Sequence, residues 1–376
     1  MNLMKDSAIY RRIKRYSTYF TRRWGLKDFA RENLRLIHQN KDILGDFDKA
    51  LKQMAAFTYY PISDFINSYK NKAVKAVKIL DITLNNNEPI IICAVKDDLI
   101  RIKKQVEHHR QIGIRHFVYI DNMSTDGTFE WLESQDDVSL FTVDEIYNSS
   151  RRNAWSRQAA DFFGYSRWYL FLDSDELFIY PGAEIKPITE YIDLLEKSKI
   201  KSTLTAMIDM YTNTSVFKGN SNQFADEYCY FDLDSYSISR RFWGWEIKGG
   251  PRKRLYPSEK KESVLLTKYG LIKAEKSDLI GSHNNYPFSL NFDRKRAIAF
   301  LLHYKFLPHD DKKYNEIIQT GNYAGGSKEY RKYMKAIEEN PDLTFFYDKS
   351  VRLNDSKDLL KLEITDKSFF HEFLSN

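Results

Sequence analysis

Three carboxylates stand almost side by side in Asp173-Ser174-Asp175-Glu176, directly after the apolar run Trp168–Leu172. A short apolar run of this kind reads as a buried strand, so the acids sit where a strand leaves its sheet. Burying them unpaired is costly, which makes a cation their natural partner. Hard oxygen ligands suit Mg²⁺ or Mn²⁺, and either metal suits a diphosphate, whose growing charge it neutralises on departure. The plainer reading is a carboxylate cluster capping a turn. A second motif, Asp121-Asn122-Met123-Ser124-Thr125-Asp126-Gly127-Thr128, ends an earlier apolar run. Its Asp126-Gly127 reads as a turn, and Ser124 or Thr125 as the cap of a following helix. A third strand-like run closes on Lys96-Asp97-Asp98.

The elements that must position these groups follow from hydrophobic period. Ile90–Val95, His116–Asp121, Val138–Val143, Trp168–Asp173 and Thr203–Asp209 read as strands. Leu99–Gln111, Arg151–Tyr165 and Pro187–Ser198 read as the helices between them. Such alternation predicts an α/β domain with a largely parallel sheet covered on both faces. Ligands in such sheets bind at the carboxyl ends of strands, where the acidic motifs lie. Residues 1–85 read as a basic helical extension, with a 3.6-residue period through Ile43–Met54 and again from Ile62 to Val77. The core domain spans 86–310, with a first half over 88–182 and a second over 183–310. Residues 311–376 read as a helical or irregular segment packed on that core, with one helix from Ser327 to Ile337 before Pro341. Residues 211–300 are rich in aromatics, charges and loop-forming stretches, with no sustained strand period.

Composition narrows the class. The 376 residues are 42% hydrophobic and 15% aromatic, enough to build a core, and 15 Gly and 9 Pro exclude collagen-like sequence. Apolar runs of about six residues fall far short of the roughly 20 that span a bilayer. The charged N-terminus lacks the apolar stretch of a signal peptide. Cys93 and Cys229 have neither disulfide nor zinc spacing, so a cytoplasmic setting is expected. No P-loop, dinucleotide fingerprint, zincin or nucleophile-elbow motif occurs. The net charge of +6 is uneven: residues 1–80 carry +10 and the rest −4. Between Tyr10 and Arg35, nine Lys/Arg are interleaved with aromatics. That segment suits peripheral contact with an anionic membrane, nucleic acid, or simply a solvated helical face.

The run Ile90–Pro181 resembles the nucleotide-sugar half of family 2 glycosyltransferases of the GT-A fold, through Asp-x-x-Ser-x-Asp-Gly-Thr and the strand-end Asp-x-Asp. More narrowly, it is similar to a bacterial subgroup, matched here by Asp173-Ser174-Asp175-Glu176-Leu177, Asp209-Met210-Tyr211, Gly249-Gly250-Pro251-Arg252-Lys253-Arg254, His283-Asn284 and Leu301-Leu302-His303-Tyr304-Lys305-Phe306. The resemblance implies a Rossmann-like GT-A sheet over about 88–355. It implies that Asp121 lies near the nucleotide base, and that Asp173 and Asp175 hold metal and diphosphate, with Asp175 the direct ligand. His283 and His303 are metal or diphosphate candidates. Asn284 replaces the subgroup's second histidine, and Asp97-Asp98 its Asn-Glu.

Beside the resemblance, Lys96, Arg252, Arg254 and Lys305 are cations for the donor diphosphate, or surface ion pairs. Arg152 and Arg157 open the helix before the acidic strand, within reach of the nucleotide, unless Arg157 packs its stem along that helix. Inversion needs a general base, for which Asp209 is the first choice and Glu246 the second. Trp243 and Trp245 offer faces for a sugar ring or for core packing. The expected activity is metal-dependent transfer from a nucleotide-diphospho-sugar, UDP-linked by resemblance, to a saccharide or lipid-linked saccharide in bacterial surface polysaccharide or lipopolysaccharide synthesis. The rival readings are a non-catalytic sugar-nucleotide-binding module and a nucleic-acid-associated protein acting through the basic N-terminus.

Overall fold

The computed structural model describes residues 27–55, 62–220, 223–254, 264–308, 310–321 and 324–375. Most of the basic Tyr10–Arg35 segment therefore lies outside the described residues. The chain first builds a small helical unit: α1 (Lys27–Gln39), α2 (Asp48–Ala55) and α3 (Ile62–Lys70). Its apolar side, including Ile37, Phe47, Leu51, Ile62 and Phe65, is buried. The helix expected to continue to Val77 stops at Lys70. Lys72 adopts a left-handed φ of 47°, and Lys75–Lys78 leaves that turn as strand β1. Strand β1 pairs antiparallel with Val138–Thr142, so a boundary near residue 85 would cut the main sheet.

Beyond it the chain alternates as expected: β2 (Ile90–Val95), α4 (Leu99–Gln111), β3 (His116–Asp121), α5 (Thr128–Glu133), β4 (Val138–Thr142), α6 (Ser149–Phe163) and β5 (Arg167–Leu172). Strands β4, β3, β2 and β5 lie side by side and parallel, in the order of a nucleotide-binding half-sheet. Antiparallel edges complete it, β1 on β4 and, much later in the chain, Leu271–Ala274 on β5. This is the α/β arrangement that the resemblance to GT-A enzymes implies.

Pleating explains the continuous apolar runs. Ile91, Cys93 and Val95 point to one buried face, while Ile90 and Ile92 point to the other, where Trp155 and Ala159 of α6 cover them. Each fully buried isoleucine or valine here contributes roughly 1.5–3 kcal/mol. Asn148 caps α6 by accepting from the Arg151 amide, and Gly164 ends it with φ of 83°.

A second, mixed sheet abuts the first. After β6 (Glu176–Ile179) and α7 (Ile188–Lys197) comes β7 (Thr205–Asp209), then the hairpin β8 (Ser237–Arg241) and β9 (Gly244–Lys248). A short helix α8 (Gly250–Arg254) leads to β10 (Thr267–Lys268), the edge strand β11 (Leu271–Ala274) and β12 (Ala299–His303). The order is β10-β7-β12-β6, with β7 and β12 parallel and the outer pairs antiparallel. The chain closes with α9 (Asp310–Thr320), α10 (Ala324–Glu339) and α11 (Lys367–Ser375). Helices α9 and α10 wall a cavity above the carboxyl ends of the strands, so the C-terminal segment completes the site as well as covering the core. No helix among the described residues is long and apolar enough to cross a membrane.

Candidate active site

Strand β5 ends at Leu172, and Asp173-Ser174-Asp175 turns the chain into β6. The turn is held from inside. Gln105 on α4 donates to the carbonyls of Asp173 (2.8 Å) and Glu176 (2.9 Å), and its own oxygen accepts from Tyr119 Oη (2.8 Å). Glu176 accepts from the Asp173 amide, and Ser174 donates to Asp98. Glu176, 0% exposed, thus shapes the turn and does not face substrate.

Asp173 is enclosed by two cations. Arg152 Nη2 reaches one oxygen at 2.8 Å and Lys268 Nζ reaches the other, lying also 2.5 Å from Glu176. Burial pushes the Asp173 carboxyl up, but Lys268 and Arg152 outweigh it and hold it well below the usual range. Lys268 was not singled out in the sequence. It arrives on a two-residue strand 95 positions after Asp173, and nothing local marks it.

Asp175 faces His303 instead, with Oδ2 3.2 Å from Nε2. The other ring nitrogen of His303 lies 2.6 Å from Asp209 Oδ1. Strand pairing creates this contact, because β12 runs parallel to β7 with His303 opposite Asp209. Burial opposes charging His303, but the two carboxylates outweigh it and raise its pKa. Asp209 Oδ2 accepts from Arg252 Nε at 2.7 Å, and Arg252 continues to Glu329 at 3.0 Å. Burial is again outweighed at Asp209, where Arg252 and His303 bring the carboxyl to about 2.

The Asp175–His303 pair fits a divalent cation. The 3.2 Å spacing is close to the ~3 Å edge of an octahedron with bonds of about 2.1 Å, and Asp209 stands where a metal-bound histidine usually has a carboxylate. Among the described residues no group of three or more His, Cys, Asp or Glu is arranged to hold a metal ion. A cation here would draw its remaining ligands from substrate oxygens and water, as Mg²⁺ and Mn²⁺ habitually do.

These groups open onto one cavity of about 1260 Å³. Of the residues expected from the sequence, Lys96, Asp173, Asp175, Arg252, His283, His303 and Lys305 line it. His283 donates Nδ1–H to the Thr267 carbonyl (2.8 Å), which leaves Nε2 unprotonated; burial lowers its pKa to about 4. Asp121 and Arg152 stand just behind the wall, 1% and 3% exposed. Asp121 Oδ2 accepts from the Ser124 amide, whereas buried Oδ1 has no hydrogen-bond partner among the described residues.

Four candidates belong elsewhere. Asp209 is 2% exposed with both oxygens engaged, so it orients His303 and Arg252 and is not open to an acceptor hydroxyl. Glu246, on the β9 strand of the hairpin, pairs with Arg241 and Lys248 and does not line the cavity. Arg157 is sandwiched between Phe47 and Tyr165 and donates to the Asp278 carbonyl, tying α6 to the N-terminal helices. Arg254 grips Asp232 and the Phe345 carbonyl. Arg101, Lys268 and Glu329 are cavity residues that sequence reasoning missed.

No curated protein matches the sequence. Solved structures match weakly. HddC from Yersinia pseudotuberculosis aligns at 11% identity and TM-score 0.26, over 50% of this chain and 74% of its own. The mannosyltransferase PcManGT from Pyrobaculum calidifontis, solved with GDP-Man and Mn²⁺, aligns at 14% identity and TM-score 0.23, over 40% of this chain and 43% of its own. The family model for glycosyltransferase family 92 matches residues 92–340, which include every residue of the cavity described above. Family 92 therefore replaces the family 2 suggested by the motifs, while the activity class, glycosyl transfer, stands. The chain belongs to glycosyltransferase family 92.

Proposed function

We propose that the enzyme transfers a sugar from a UDP-sugar, with Mn²⁺ or Mg²⁺ held by Asp175 and His303, to a saccharide or lipid-linked saccharide acceptor, with inversion. The observation that carries this reading is the Asp209–His303–Asp175 relay at the strand ends, opening on a cavity large enough for a nucleotide sugar and an acceptor.

A bound divalent cation would supply charge neutralisation of the departing diphosphate. The chain's own residues do the rest. Asp209 holds the His303 ring with Nε2 turned to Asp175. Arg152 and Lys268 fix Asp173 so that it presents a set acceptor edge to the donor. Lys305 and Arg252, which both line the cavity, place positive charge where the leaving group develops negative charge.

Calorimetric titration with a panel of nucleotide sugars, with and without Mn²⁺, tests the reading. Wild type should bind one donor in a metal-dependent way, and Asp175→Ala should lose that dependence. Equal binding with and without metal, or none by wild type to any donor, would sink it.

A further inference from the structure

With Asp209 and Glu246 set aside, the reaction has no assigned base. Besides Asp173 and Asp175, the carboxylates lining the cavity are Asp97, Asp98, Asp144 and Glu145, which follow β2 and β4, and Asp310, Glu316 and Glu329 on α9 and α10. Asp98 is clamped by Arg101, Asp97 accepts from the Thr125 amide, Glu145 accepts from Ser68 and Trp155, and Asp144 is exposed with no contact among the described residues to fix it. Asp310 is 5% exposed and clamped by Arg101, so it is not free to move a proton. Glu316 is exposed on α9 and, among the described residues, makes no ion pair or hydrogen bond that would fix it. Glu329 differs from both. Its side chain is 44% exposed, and its Oε1 accepts from Arg252 Nη1 (3.0 Å) and from Tyr333 Oη. Its Oε2 accepts no hydrogen bond among the described residues. One oxygen is anchored and the other is left for a ligand.

The anchor also sets position. Glu329 is linked through Arg252 to Asp209, through Asp209 to His303, and through His303 to Asp175. This chain of charged contacts ties it to the residues that would hold the leaving group. We propose, resting on the transferase reading above, that Glu329 is the general base of the reaction. The acceptor hydroxyl oxygen bonds to the anomeric carbon and the carbon–oxygen bond to the diphosphate breaks. The diphosphate keeps the bonding pair, and the hydroxyl proton passes to Glu329 Oε2.

The charge around Glu329 agrees with a base that becomes competent when donor is bound. Burial alone would raise its carboxyl, but Lys305 and Arg252 outweigh it and hold the free enzyme's value at about 2. Those cations face the cavity that receives the diphosphate. An anion placed between them offsets their pull and lets the carboxylate take a proton more readily.

Glu329→Gln keeps an oxygen for Arg252 and Tyr333 and removes only basicity. We expect donor affinity within twofold of wild type and nucleotide release, measured across a UDP-sugar panel, reduced about 100-fold or more. Glu329→Ala should regain nucleotide release with sodium azide, which needs no proton removed, and yield the glycosyl azide. A merely structural role would not respond to azide. Turnover by Glu329→Gln within about threefold of wild type, or an Ala variant that binds donor but ignores azide, overturns the assignment alone. Wild type that neither binds nor turns over any donor overturns the transferase reading, and this proposal with it.

Discussion

Asp209 shows how a residue that looks catalytic in sequence can matter through its neighbour. It ends a strand in a recognisable Asp-Met-Tyr, yet both oxygens are spent on His303 and Arg252. Its effect reaches the site through the tilt and basicity of the His303 ring. Asp209→Asn should therefore leave the fold intact and weaken Mn²⁺ affinity 10–100-fold, the usual cost of losing a carboxylate behind a metal-binding histidine. Manganese titration by calorimetry checks this, and unchanged affinity would remove Asp209 from the relay. The acidic turn itself was legible because it is local: an apolar strand followed by three carboxylates carries its meaning within nine residues. Lys268 and Glu329 were not. Their roles exist only once β10 and α10 are brought alongside the turn, and neither has a sequence context that sets it apart from a surface charge.

Elements tell the same story at longer range. Strands β2 and β3 and helix α4 fell where the period put them, because buried parallel strands read as continuous apolar runs. Strand β1 was misread as helix, since Ala73 and Val77 fit a helical stripe and the Lys72 turn leaves no proline or glycine behind. Helix α9 gave little signal, with only its first residue Asp310, Tyr314 and Ile317 buried. What seats it is charge. Arg101 on α4, 6% exposed, donates to Asp98, Asp310 and the Tyr304 carbonyl, while Asp310 accepts from the Leu307 amide. Arg101→Met would leave buried Asp310 without its main cation, a loss of about 3–5 kcal/mol, while Asp98 keeps Lys313 at 3.2 Å. Hydrogen exchange should quicken in α9 before it does in β2 or β3. Uniform protection across all three would show that α9 is held by packing alone.

Across the whole molecule, buried histidines set the response to acid. Burial lowers the pKa of His108 and of His109, and brings His116 and His283 to about 4, against 6.5 for the free side chain. The unfolded chain accepts protons at these sites near pH 6.5, while the folded chain refuses them until the pH is much lower. Stability present above pH 6.5 should therefore drain away as the pH falls toward 4. His303 acts in the opposite sense, because its raised pKa favours the folded state on acidification, and so do the burial-raised carboxyls of Asp121, Glu176, Asp278 and Asp310. Below about pH 5 the depressed carboxyls of Asp209 and Glu329, each at about 2, extend the loss. His116 isolates the effect. It lies away from the cavity against Phe163, with Nε2 2.9 Å from Ser139 Oγ, which itself accepts from the Leu80 amide. The serine hydroxyl can pair with a neutral imidazole, and a glutamine side-chain amide at that site can meet the hydroxyl with either its oxygen or its NH2 group. Urea melts of the metal-free protein between pH 7 and 4.5 should show falling stability, and in His116→Gln that fall should shrink by up to about 3 kcal/mol. A variant with the wild-type slope would mean that His116 takes up its proton in the folded state, and that burial at this strand start does not exclude charge.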